Sequence, residues 1–205
     1  MSDFKPEELR ESVEVLGLQS SGSVYIWNKN RTMWAKVEQE QKKNLFSQVG
    51  IGVKSIKFTI WKQNLSLNNA FSWQGKHCFI TDINEIDRMC LCCEVTAALI
   101  EPKTCIATRF VTTKNELNRP VTTPQPVSTF PGYLVEKYMG YAQQKPQAVS
   151  EIQYVLVTPK IITLELADLI EIDGETYNVQ IAHTLDEYKN EYEIVVKKDV
   201  GHAEP

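Results

Sequence analysis

With 205 residues the chain has room for two domains of about 100, and a hydrophobic share of 42% supplies packed cores and excludes wholesale disorder. A formal net charge of −4 leaves no broad basic footprint for nucleic acid. No apolar run approaches the roughly 18 residues that span a membrane, so no membrane association is expected.

In chain order, the start (Met1 to Glu8) has neither the basic beginning nor the apolar core of a signal peptide, which sets the expectation of folding in cytoplasm with reduced thiols. These residues are polar, expected to fray or to be clamped by a partner. Leu9 to Leu18 fits a short helix or a strand; the alternation at Val13 and Val15 favours a strand from about Ser12. Ser20 to Ser23 is a turn. Val24–Trp27 and Met33–Val37 read as strands separated by polar residues 28–31. The polar stretch 38–50 holds Leu45, Phe46 and Val49 at helical spacing. A short helix with a loop and a solvated connection both remain open there. Ser55–Ile60 alternates as a strand. Phe71–Trp73, a turn at Gln74-Gly75, and His77–Thr81 make a hairpin, followed by a bend and a third strand, Met89–Val95.

Glu101–Lys103 closes the first half, and Thr104–Thr113 opens the second as a β-branched strand. Pro120, Pro124, Pro126 and Pro131 each lack a backbone donor. Residues 118–132 are therefore expected as an extended surface arm or loop, not a central strand. After Tyr133–Tyr138 comes a polar loop, 143–150; Ile152–Val157 resumes the sheet, and the charged tail from Lys197 is expected to fray.

The hairpin pattern returns 99 residues later. Gly75 meets Gly174, Leu65 meets Leu164, Phe71 meets Ile170, Ile80 meets Val179, Glu94 meets Glu193 and Val95 meets Ile194 at that spacing. A slip of one residue would turn a strand's core face to water, so a kept apolar register implies a kept fold. The expected class is mainly β: two tandem small β-barrel or β-sandwich modules, residues 1–103 and 104–205, related by an internal repeat. Trp34 and Tyr133 share the same spacing and are expected as equivalent core anchors.

Chemistry-bearing residues are sparse. Cys90, Cys92 and Cys93 sit on one strand, the first two facing one way and the third the other. Structural zinc sites pair cysteines across a turn and need a second pair, so these, with Cys78 and Cys105, are expected as core packing. His77, His183 and His202 are expected to be solvated, and none is placed beside a nucleophile. The acidic run from Thr81 to Asp87 lacks the glycine and terminal glutamate of a calcium loop. With no phosphate loop, nucleophile elbow or zinc-protease helix in the sequence, no catalytic activity, cofactor or metal is expected.

One resemblance covers residues 9–97. Leu9-Arg10, Val13–Val15, Trp27, Met33–Glu38, the polar insertion, Ile56–Ile60, the hairpin Trp73–Ile83 and the strand Arg88–Val95, in this order, resemble the head-tail joining proteins of tailed bacteriophages. Members are connector, stopper, head-closure or head-completion proteins. The resemblance implies a small β-barrel that forms a ring beneath the portal, retains packaged DNA and receives the tail. It further implies a homo-oligomeric ring of 6 or 12 chains, with a portal or adaptor protein above and a tail terminator or tail-joining protein below. Genomic DNA would pass through the lumen without sequence-specific binding, and the location would be the virion neck, assembled in host cytoplasm. A typical member has one module, and the second half here matches only through the repeat. Candidate partner-binding residues are Leu45, Phe46, Val49 and Ile51 in the insertion, with Pro124 and Pro126 in the arm. Alternatives are a tail terminator or other neck protein, and, from a different class, a cytosolic ligand-binding β-barrel or a thiol-dependent enzyme using Cys90, Cys92 or Cys93.

Overall fold

The computed structural model describes residues 6–39, 53–86, 91–136 and 153–197. Apart from a 3-10 turn at Pro6–Glu8, its elements are strands: β1 (Glu11–Ser21), β2 (Val24–Gln39), β3 (Lys54–Trp61), β4 (Asn69–Trp73), β5 (Lys76–Glu85), β6 (Cys92–Leu99), β7 (Lys103–Lys114), β8 (Pro120–Glu136), β9 (Gln153–Pro159), β10 (Leu169–Ile172), β11 (Glu175–His183) and β12 (Lys189–Val196). The protein is mainly β, as its alternation of apolar and polar residues requires. The polar stretch 28–31 does not interrupt β2. It is absorbed by a bulge at Asn30, which leaves one strand where two are expected.

Pairing runs β1-β4-β5-β6-β3-β2 and returns from β2 to β1, then β8-β7-β10-β11-β12-β9 and returns from β9 to β8. Each half is thus a circuit of six strands, and substituting β7 to β12 for β1 to β6 converts the first order into the second. The registers agree as well. Trp73 pairs with Lys76 and Ile172 with Glu175, keeping the spacing of 99. Both hairpin turns have two positive φ angles: Gln74 and Gly75 at 52° and 74°, Asp173 and Gly174 at 53° and 85°. This conformation fits the right-handed strand twist and is cheap only with glycine in the second place. The first half's bulge between Ile80 and Asp82 recurs between Val179 and Ile181.

The spacing of 99 holds for β4 and β5 against β10 and β11 and does not extend to the other strands. Leu99 lies opposite Cys78 and Val196 opposite Tyr177, so β12 runs two residues ahead of that spacing. The counterpart of Val95 is therefore Tyr192, not Ile194, and that of Glu94 is Glu191, not Glu193. A slip of two preserves which side chains face inward, which is why the apolar register reads as continuous.

Each circuit encloses its own core. Val13, Met33, Phe58, Phe71, Ile80 and Val95 meet in the first, with Phe58 and Phe71 edge to face at 5.1 Å. Cys105, Phe130, Leu156, Ile170, Tyr192 and Ile194 meet in the second. In the second circuit Gly132 leaves no room for a side chain, since a β-carbon there would lie 2.7 Å from both Cys105 Sγ and Leu156 Cδ1. Gly132→Ala is expected to cost about 1–3 kcal/mol by overpacking. Cys105→Ala in the same chain should return part of that loss. Thermal denaturation of the two single variants and the double variant measures the coupling, and strict additivity would refute this contact.

Candidate functional site

Trp34 is not a core anchor. It is 61% exposed, because alternation along β2 turns Met33 and Ala35 inward and Trp34 out. The matched bulges at Asn30 and Val127 align Trp34 with Pro131, and Tyr133 with Lys36. Tyr133 is wholly buried elsewhere, in a third cluster shared by the two circuits. There Phe79, Ala98, Val53 and Ile100 of the first circuit pack on Tyr133, Val135, Val155 and Val157 of the second. Phe79 and Tyr133 ring centroids are 4.6 Å apart, and the Tyr133 hydroxyl lies 2.7 Å from His77 Nε2. His77 is therefore buried, not solvated as its place beside a turn suggested. Burial lowers its pKa to about 4 and raises that of Tyr133 well above the ordinary value, so both are neutral at pH 7. The ring of Trp27 packs on that of His77 with centroids 5.5 Å apart. Nearby, the Ile83 N–H donates to the Tyr188 hydroxyl at 3.3 Å across the same junction.

The tip of the β1–β2 hairpin completes the junction. Thr129 N–H donates to Ser23 O at 2.8 Å, Val24 lies opposite Thr129 as a parallel bridge, and Tyr25 packs against the second core. The first circuit thus lays its hairpin on the outer side of β8 in the second.

The second circuit's own hairpin is the arm formed by β7 and β8. Among the described residues, the two strands from Arg109 to Lys114 and from Pro120 to Pro126 pair only with each other. Asn115 organises its tip: its side-chain oxygen accepts from Leu117 N–H and Arg119 N–H, and Asn118 takes a positive φ of 56°. Of the two forms expected for 118–132, an extended arm or a loop, the extended one is present, as a strand from Pro120 onward. The prolines fit because of how the ladder alternates. Thr129 N–H turns away from β7, and Pro131 shares its phase. Across the bulge at Val127 the phase inverts, which points the nitrogens of Pro120, Pro124 and Pro126 outward too. All four prolines thus occupy positions where no donor to β7 is lost.

At its base the arm is fixed by Arg109. Its Nε and Nη2 donate to the two carboxylate oxygens of the buried Asp168 at 2.7 and 2.8 Å, and Nη1 reaches Glu165 at 2.7 Å. Beyond it the arm exposes Phe110, Leu117 and Val121. Sequence reasoning found the arm through its prolines but missed Phe110, which sits in an ordinary β pattern.

Of the residues expected to bind partners, Pro124 and Pro126 lie exposed on the arm. Leu45, Phe46, Val49 and Ile51 fall in 40–52, outside the described residues, as do Cys90 and His202. Cys78, Cys92, Cys93 and Cys105 are buried as core packing. Burial raises the thiols of Cys78 and Cys105 to about 12 and that of Cys93 upward, which keeps them protonated and poorly nucleophilic. Iodoacetamide at pH 8 should label these three at least tenfold more slowly in native protein than in urea; equal rates would contradict their burial. Among the described residues no three His, Cys, Asp or Glu side chains cluster as metal ligands, and no helix is long and apolar enough to cross a membrane.

Comparisons with protein-family models, with curated proteins and with solved structures gave no match.

Proposed function

We propose that this chain is a duplicated β-module that acts as a structural neck component of a tailed-phage particle, forming a head-to-tail connector or head-closure ring that joins portal and tail and retains packaged DNA. The observation that carries the reading is the arm: a two-stranded ribbon that, among the described residues, pairs with nothing beyond itself and exposes Phe110, Leu117 and Val121. An isolated ribbon of this kind is marginal in water, so it is built to be covered by another surface. The ordered features over residues 9–97 supply the particular assignment. Matching strand order and registers in the two halves support duplication. Leu45, Phe46, Val49 and Ile51 belong to this reading as a second contact toward the ring or its lumen.

The mild negative charge suits a passage through which DNA slides without being gripped. Of the residues named for a thiol-dependent enzyme, Cys92 and Cys93 are buried and burial raises the Cys93 thiol, which disfavours that alternative for them; Cys90 lies outside the described residues. Replacing residues 110–124 by a two-residue Asn-Gly turn should leave the β-core folded while particles lose DNA or fail to take tails. Purified particles are then examined for this chain by mass spectrometry and for tail attachment by electron microscopy. Absence of the chain from particles, or normal tail joining by the replacement variant, would sink the assignment.

A further inference from the structure

The contact between the two circuits has an equivalent that is not made among the described residues. Ladder registers equate β2 with β8, placing Ser23 with Pro120, Val24 with Val121, Thr32 with Thr129 and Trp34 with Pro131. The cross-strand pairs agree: Val24 faces Ser21 as Val121 faces Thr113, and Trp27 faces Leu18 as Pro124 faces Phe110. Within the chain, the first hairpin docks through Ser23 O and Val24 on Thr129 of the next circuit. The equivalent second hairpin, the arm, meets no circuit among the described residues. At the other end, the outer face of β2 holds Thr32 and Trp34, equivalents of the residues the first hairpin covers or adjoins, and both are exposed. Trp61, one strand over on β3, is exposed too.

We infer that the arm of one copy docks on the first circuit of a second copy, with Val121 opposite Thr32 and the carbonyl of Pro120 accepting from Thr32 N–H, so that the intrachain junction repeats between chains. This rests on the self-associating ring of the proposed function and names its contact. The phase of the prolines fits it, because an outward carbonyl rather than an outward N–H is what the first hairpin uses at Ser23. Phe110 and Pro124 stand where Leu18 and Trp27 stand in the first hairpin, and would bring apolar surface to Trp34. The shared cluster has no full counterpart across this second contact. Phe79, Tyr133 and Val155 correspond to Asn178, Lys36 and Lys57. The contact between copies is consequently more polar and more easily opened than the one within the chain. Being head to tail, it propagates until rotation closes a ring.

Cysteine cross-linking of the full chain tests this. Val24→Cys with Thr129→Cys should give an intrachain bond at monomer mass, which calibrates the geometry. Thr32→Cys with Val121→Cys should instead give, on mild oxidation, a ladder of covalent dimers, trimers and higher species absent from either single variant. Adding Trp34→Ala should reduce ladder formation at least tenfold. No ladder where the calibrating pair closes overturns the docking. If electron microscopy of the unmodified chain still shows rings, the docking alone is wrong; if it shows no assemblies, the self-assembling reading fails with it.

Discussion

Tyr133→Ala is expected to destabilise the protein by about 3–5 kcal/mol, the range for removing a large buried aromatic side chain. Tyr133 is fully buried, touches Phe79, and shares a hydrogen bond with His77. The character of the loss should be as informative as its size. Each circuit keeps its own core, and Tyr133 belongs to neither but to the cluster between them. Removing it should uncouple two units that otherwise melt together. Calorimetry is expected to show one transition for the parent chain and two for the variant, with the calorimetric enthalpy exceeding the van't Hoff value. A single cooperative transition in Tyr133→Ala would mean that the circuits are held together chiefly by other contacts, such as Thr129 N–H to Ser23 O.

Acidification should weaken the same junction. The His77 pKa is about 4 in the folded protein, below the ordinary 6.5, because burial disfavours the imidazolium. Between these values the unfolded chain binds a proton that the folded chain does not, so stability rises with pH across that window. The contribution is complete above about 6.5 and is lost as pH falls through 6.5 toward 4, amounting to roughly 3 kcal/mol in all. Urea titrations at pH 7.5, 6, 5 and 4.5 should show a falling midpoint, with a shallower fall in His77→Gln. Parallel pH profiles for the two proteins would remove His77 as the cause.

Much of the architecture is legible in the sequence, and the failures have physical causes. Gly75 and Gly174 mark equivalent turns because two successive positive φ angles leave little choice of residue. The spacing of 99 misleads at β12 because alternation has a period of two and cannot detect a two-residue slip. Trp34 misleads because size and apolarity suggest a core position, while the alternation with Met33 and Ala35 turns it outward. His77 reads as a solvated residue near a turn, since the surface that buries it, Tyr133, lies 56 residues away. The arm is visible through its prolines, but their phase relative to β7 depends on the bulge at Val127, which no local pattern announces. That the first hairpin lands on Thr129 is likewise a property of the assembled circuits.

The closed order of the first six strands bears on how the protein emerges during synthesis. Every strand of the first circuit lies between Glu11 and Leu99, so it can close while the second is still being made. Sheets built from distant pairings otherwise fold slowly, because each pairing waits on a long loop closure. If the first circuit closes first, the nascent second half meets a finished surface. Phe79 and Ala98 stand ready for Tyr133 and Val155, and Ser23 offers its carbonyl to Thr129. Closing in that order, the first half would be a template on which β8 is laid beside β7.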